Sequence, residues 1–150
     1  MDAAALLAQL CASYQHHAVA LGKTITPPVI SGEAKIQSNG VLLRRVIGNL
    51  IRNALEASSP GDTVTVSFDN DGSPEFSVHN QSVMTEDVSL QLFQRSFSTK
   101  EGPGRGIGTY SVKLLTERYL GGTVGFESPA PEGGTTFHLR LPNGFKSQHY

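Results

Sequence analysis

Two asparagines at helical spacing are the first residues whose types could do chemistry. Asn49 and Asn53 stand four residues apart in the segment NLIRNALEA, so both amides lie on one face of a helix, about one turn apart. A buried amide on an apolar helix needs a partner, and its oxygen is a hard ligand that suits Mg²⁺ beside phosphate. The pair fits either a magnesium site or two asparagines bonded to neighbouring backbone. Glu56, on the next turn, is expected to be exposed to solvent.

A glycine-rich segment, GPGRGIG at residues 102–108, opens a predicted helix and is the second candidate. Glycine lets backbone N–H groups approach a ligand closely, and a helix N-terminus adds free donors and a positive dipole end that suit phosphate. The segment is neither a P-loop nor a dinucleotide fingerprint, because no Gly-Lys-Ser/Thr closes it and no strand directly precedes it. Lys100 and Arg105 flank the glycines and could supply charge to phosphate oxygens. A flexible hinge with two solvated cations is the alternative.

Hydrophobic periodicity predicts the elements that must position these residues. Helices are expected over residues 2–21, about 40–58, 86–93 and 107–120, with a mobile loop over 94–105. Alternating apolar residues predict strands over 63–70 and 74–80, joined as a hairpin at Asp71-Gly72, and over 122–128 and 135–141. Residues 23–37 hold short extended runs at 23–26 and 34–37, broken by Pro27, Pro28 and Gly32. This order predicts a mixed sheet with helices on one face.

Composition limits the class of protein. The chain has 150 residues, 38% hydrophobic and 17% charged, which fits one folded domain. A net charge of -1 gives no electrostatic footprint for nucleic acid or for direct contact with an anionic membrane. The single cysteine, Cys11, rules out an intramolecular disulfide and indicates a reducing compartment. No apolar run is long enough to span a bilayer, and the opening MDAAALLAQL lacks the basic region of a secretory signal.

Taken together, five segments resemble the ATP-binding boxes of the GHKL superfamily, most closely those of sensor histidine kinases. In chain order they are NLIRNALEA, VHNQSVM, LFQRSFSTK, GPGRGIGTYSVKLL and EGGTTFHL, and the resemblance runs from about residue 23 to residue 141. The resemblance implies a two-layer α/β sandwich, the Bergerat fold, with a mixed, mostly antiparallel sheet covered by helices on one face. It implies one ATP-binding catalytic domain over 1–150, with a leading helix at 1–22 and a tail at 142–150.

The same resemblance assigns site residues. Asn53 corresponds to the asparagine that ligates Mg²⁺, and Asn49 lies beside it; both are the candidate catalytic residues. Thr135 is placed near the adenine, and Phe93 and Phe97 at the base of a lid over about 93–105. The implied phosphate-binding and lid residues are Lys100, Gly104, Arg105, Gly106, Ile107 and Gly108.

One motif departs from the family pattern. The family has Asp-x-Gly-x-Gly after the second strand of the hairpin, whose Asp accepts a hydrogen bond from the adenine amino group. Here the segment reads VHNQSVM, so Asn80 stands in place of the Asp and both glycines are missing. An asparagine oxygen can still accept this bond, but without the charge that strengthens it.

The function implied is that of a two-component sensor histidine kinase: binding of Mg-ATP and transfer of the γ-phosphoryl group to a histidine on a dimerisation domain outside this chain, with a response regulator as indirect partner. His16 and His17 are expected to be ordinary helix residues, since no acidic residue directly follows either. Two alternatives are another GHKL enzyme, such as an anti-sigma-factor serine kinase or an ATPase, and a non-catalytic module that binds a nucleotide or a protein. The domain is expected to be cytoplasmic, cut from a longer protein that can be membrane-anchored.

Overall fold

The computed structural model describes residues 1–17, 20–84 and 112–142, and a six-stranded sheet forms its framework. The strands are β1 Thr24–Ile25, β2 Val29–Gly32, β3 Thr63–Asn70, β4 Pro74–Asn80, β5 Thr123–Glu127 and β6 Thr135–Arg140. The strand order is β1-β3-β4-β6-β5, with β2 also paired to β3. Strands β1 and β2 run parallel to β3, whereas the β3–β4, β4–β6 and β5–β6 pairs are antiparallel. The predicted mixed, mostly antiparallel sheet is confirmed.

Helices cover one face of this sheet. They are α1 Ala3–Gln15, α2 Gly40–Ala57 and a π-helix at Leu115–Leu120. In β3 the side chains of Val64, Val66 and Phe68 are buried under the helices, while the residues between them face outward. Phe68 packs on Phe76 of β4, with ring centroids 4.7 Å apart. The two-layer α/β sandwich expected from the sequence is therefore the observed architecture.

Helix α2 carries the two asparagines and is fixed at both ends. At its start the Asn39 side chain accepts a hydrogen bond from the Leu42 backbone N–H at 3.1 Å, which satisfies one of the free amides of the first turn. At its end the Ser58 hydroxyl donates to the Ala54 carbonyl at 2.7 Å. Its apolar residues form a wide face against the sheet and α1: Leu43, Val46, Ile47, Leu50, Ile51, Ala54 and Leu55 are all buried. The predicted helix over about 40–58 is confirmed.

The opposite face of the sheet is polar. His138 of β6 lies between two carboxylates, with its Nδ1 2.8 Å from a Glu75 oxygen and its Nε2 3.0 Å from a Glu127 oxygen. Arg140 extends this network, with its Nε 3.4 Å from Glu75. The two faces differ in this way because successive side chains of a strand point to opposite sides.

Several sequence expectations differ from the structure. Strand β2 forms directly after Pro27 and Pro28, because both prolines precede the strand and remove no ladder hydrogen bond from it. The expected extended run at 34–37 contributes only one isolated bridge, between Asp2 and Lys35. The helix expected over 107–120 is described from residue 112, and its last six residues are π-helical. The expected helix at 86–93 and the loop at 94–105 lie outside the described residues.

Helix α1 is shorter than expected, ending at Gln15 rather than near residue 21. Its Cys11 is buried, and burial raises the pKa of the thiol to about 11, so the residue is a neutral part of the core. Within the described ranges, none of the helices has the length and apolar character that a bilayer crossing requires.

Candidate nucleotide-binding site

Asn49 and Asn53 lie along one border of the buried face of α2. Both are partly buried, and each is followed by a fully buried residue, Leu50 and Ala54 respectively. Helix α2 packs on β4, the strand that ends at Asn80. The two amides therefore share one edge of the helix that packs on the strand carrying the third candidate.

The Asn53 amide carries an unused donor. Its Nδ2 atom is buried and has no hydrogen-bond partner among the residues that the structure describes. A buried donor without a partner costs about 1–3 kcal/mol, and native structures leave few such groups. An amide that donates to a phosphate oxygen through its nitrogen can ligate a cation through its oxygen. Asn53 thus fits a site for a magnesium-bound phosphate.

Glu56 lies on the same side of α2, and its side chain is buried, contrary to the expectation of solvent exposure. The side chain is 8% exposed, and its carboxylate lies 3.2 Å from the Nε atom of Arg52. The sequence could not show this, because the burial of a side chain depends on its surroundings in the folded chain. The result is a carboxylate held one turn from the Asn53 amide.

Asn80 and Thr135 face each other across β4 and β6, where they form a register pair. Each residue is only 2% exposed. An amide can serve a ligand that donates to its oxygen or accepts from its nitrogen. The position that the resemblance assigned to base recognition is therefore a buried amide.

Two hydroxyls connect Thr135 to the segment that follows Asn80. The Met84 backbone N–H donates to Ser128 Oγ, the Ser128 and Thr135 hydroxyls bond each other, and Thr135 Oγ1 donates to the Ser82 carbonyl, each at 2.7 Å. We call these two hydroxyl groups the hydroxyl relay. Sequence reasoning found Thr135 and missed Ser128, because a lone serine after a strand carries no motif.

The segment 81–84 is held by two further bonds. Gln81 Oε1 accepts from the Thr63 N–H at 2.6 Å, and the Ser82 hydroxyl donates to the Ala57 carbonyl at 2.8 Å. Side chains thus anchor the segment to β3 and to the end of α2. The family pattern places glycines in this segment, whereas this chain fixes it with side-chain hydrogen bonds.

The remaining candidates belong to the part of the chain between residues 85 and 111, which lies outside the described residues. These candidates are Phe93, Phe97, Lys100, Gly104, Arg105, Gly106, Ile107 and Gly108. Of the sequence-predicted site, the structure describes Asn49, Asn53, Asn80 and Thr135, and it pairs Asn80 with Thr135.

Comparison with known proteins identifies the family of this chain. Residues 38–144 match the family described as histidine kinase-, DNA gyrase B-, and HSP90-like ATPase. A probable C4-dicarboxylate sensor kinase of Halalkalibacterium halodurans is 37% identical over 103 residues, covering 65% of this chain and 19% of that protein. The sensor protein DegM of a Bacillus species is 33% identical over 112 residues, covering 73% of this chain and 29% of that protein. The chain thus spans less than a third of either relative.

A solved structure shares the fold. The catalytic domain of histidine kinase ThkA superposes with a TM-score of 0.81 at 18% identity, covering 96% of this chain and 94% of that domain. The family match covers well over half of the chain, so the chain belongs to the histidine kinase-, gyrase B- and HSP90-like ATPases. Within that family it is an ATP-binding domain of the type found in sensor histidine kinases.

Proposed function

We propose that this chain binds Mg-ATP and donates the γ-phosphoryl group to a histidine on a separate dimerisation domain. The observation that carries the proposal is the buried Nδ2 of Asn53, which has no hydrogen-bond partner among the described residues and stands where the family resemblance expects the magnesium ligand. A bound triphosphate with its cation would give this amide the partners that the described residues do not provide. Family membership supports ATP as the substrate.

Each candidate then has a role. Asn53 would hold Mg²⁺, which supplies charge neutralisation on the phosphates, and Asn49 would lie beside that site. Asn80 and Thr135 would contact the base. Lys100 and Arg105 would be lid cations on the phosphate oxygens, and the backbone of Gly104, Gly106, Ile107 and Gly108 would cradle the phosphates.

Phosphoryl transfer needs little covalent chemistry from the protein, which mainly positions groups and stabilises charge. An imidazole nitrogen of the acceptor histidine would form the bond to the γ-phosphorus as the bond to the bridging oxygen of ADP breaks. The nucleophile belongs to the partner domain, so this chain needs no nucleophile of its own.

The wider assignments are part of the same proposal. Residues 1–150 would form one catalytic domain with its core at about 23–141, working in the cytoplasm as part of a longer sensor kinase. The dimerisation domain would be its direct partner and a response regulator its indirect one. Nucleic acid and direct membrane contact are not expected.

One observation favours a second candidate function. Asn80 lacks the charge of the family's aspartate, so the site is weaker for adenine by a charge-assisted hydrogen bond. A module that binds a nucleotide for regulation, without turnover, would tolerate this change.

Calorimetric titration tests the main proposal. ATP and ADP should bind in the presence of Mg²⁺ and bind much more weakly in EDTA. With labelled ATP, a histidine-containing dimerisation domain from a sensor kinase should acquire acid-labile phosphate, whereas the chain alone should not. Absence of ATP binding would reject the function, and label on His16 or His17 would reject a separate acceptor. Binding without any transfer would favour the regulatory module.

The Asn80→Asp variant tests base recognition. A carboxylate accepts a stronger bond from the adenine amino group, so ATP binding should hold or tighten by at most about 1–2 kcal/mol. Asn80→Ala should weaken ATP binding by a similar amount. Binding of GTP, whose base has a carbonyl at that position, should fall in Asn80→Asp because a carboxylate repels it. If neither variant changes the affinity for either nucleotide in calorimetry, Asn80 does not read the base.

A further inference from the structure

The hydroxyl relay has only one arrangement of protons that satisfies all its bonds. The Ser82 carbonyl and the Met84 N–H are an acceptor and a donor respectively, with no choice of role. Thr135 has a single hydroxyl proton, which it donates to the Ser82 carbonyl. The bond between the two hydroxyls must therefore run from Ser128 to Thr135.

This arrangement fixes what Thr135 can offer to a ligand. Its proton is used and one lone pair accepts from Ser128, so only acceptor capacity remains on Thr135 Oγ1. Asn80, its register partner, can present either an amide oxygen or an amide N–H. Asn80 by itself can therefore bind either a base that donates a hydrogen bond at this position or a base that accepts one.

We propose that Ser128 is a positioning residue for base recognition, and this inference rests on the proposed nucleotide function. Ser128 donates to Thr135, whose own proton goes to the Ser82 carbonyl, and ties Met84 to the end of β5, so the segment after Asn80 is held in place before a ligand binds. A base with an amino group at this position is favoured over one with a carbonyl. Preorganisation of this kind raises affinity because less order is lost on binding.

The location of Ser128 makes this role testable apart from the fold. Ser128 lies one residue beyond β5 and is partly exposed, so its hydroxyl is not part of the hydrophobic core. Ser128→Ala removes one hydroxyl and leaves the Met84 N–H without its partner. Ser128→Thr keeps the hydroxyl and provides the conservative rescue.

Four readouts separate positioning from general damage. In Ser128→Ala, ATP affinity should fall by roughly tenfold, the equivalent of one neutral hydrogen bond. Affinity for inorganic tripolyphosphate, which has no base, should stay unchanged, and the preference for ATP over GTP should shrink. Exchange of the Met84 amide hydrogen should accelerate by about tenfold or more, and Ser128→Thr should restore the wild-type values.

Ser77→Ala is the matched control, because Ser77 lies on the opposite face of the sheet, where its hydroxyl is 3.3 Å from His138 Nδ1. It should leave all four readouts unchanged. Equal loss of ATP and tripolyphosphate affinity in Ser128→Ala would overturn the inference, as would unchanged ATP affinity. If the wild-type protein binds no nucleotide, the proposed function is rejected. The role of Ser128 in holding the Met84 amide is then still tested by the exchange rate of that amide hydrogen.

Discussion

An Asn53→Ala variant should lose most Mg²⁺-dependent nucleotide binding while its fold becomes no less stable. The loss of an amide ligand should weaken Mg-ATP binding by roughly 100-fold, about 2.7 kcal/mol. The same substitution removes a buried donor that has no partner among the described residues, and it replaces Asn with a better helix former. The free energy of unfolding in the absence of ligand should therefore rise, by about 1 kcal/mol.

This combination of opposite effects is the reason that Asn53 is informative. Substitution of a residue that serves the fold would lower both the free energy of unfolding and the ligand affinity. A residue that serves a ligand instead destabilises the fold while the ligand is absent, so its substitution raises the free energy of unfolding. Urea unfolding and calorimetry on the same preparation measure both quantities. Arg45→Ala, on the exposed side of the same helix, should leave Mg-ATP binding unchanged. Full Mg-ATP affinity in a folded Asn53→Ala protein would remove Asn53 from the site.

A Gly134→Ala variant should be strongly destabilised. Gly134 has a φ of 71°, a conformation that side chains disfavour, and a Cβ there would overlap the Asn80 carbonyl oxygen. The backbone at the end of β4 would have to move away, since a main-chain oxygen cannot rotate aside as a flexible side chain can. Strain and displacement together should lower the free energy of unfolding by about 3–4 kcal/mol.

Two other glycines, Gly133 and Gly125, provide the matched controls. Gly133 has a φ of 93°, but no atom lies within 4 Å of the place that an alanine methyl group would take, so Gly133→Ala should cost only the conformational strain, about 1–2 kcal/mol. Gly125, in β5, has open space and no positive φ, so Gly125→Ala should stabilise the protein by about 0.5 kcal/mol. Urea denaturation followed by circular dichroism should rank the three variants in this order. Equal stability of Gly134→Ala and Gly133→Ala would show that contact with Asn80 is unimportant.

Much of the fold could be predicted from local patterns. The boundaries of β3 and β4 agree with their alternating apolar residues, and α2 agrees with its wide apolar face. The same holds for the asparagine pair, because a spacing of four residues in a helix places two side chains on one face whatever surrounds them. Periodicity succeeds for these elements because their own side chains decide which face is buried.

Tertiary structure decided the features that depend on contacts between distant parts of the chain. Strand β2 forms because β3 offers it a free edge, and the Glu56 side chain is buried where the sequence predicts exposure. The lack of a partner for Asn53 Nδ2 among the described residues and the direction of the bond from Ser128 to Thr135 arise in the same way. A sequence shows which groups can make a hydrogen bond. Only the folded chain shows which of them are buried, which partners they meet, and which are left for a ligand, because burial and pairing are set by residues far apart along the chain.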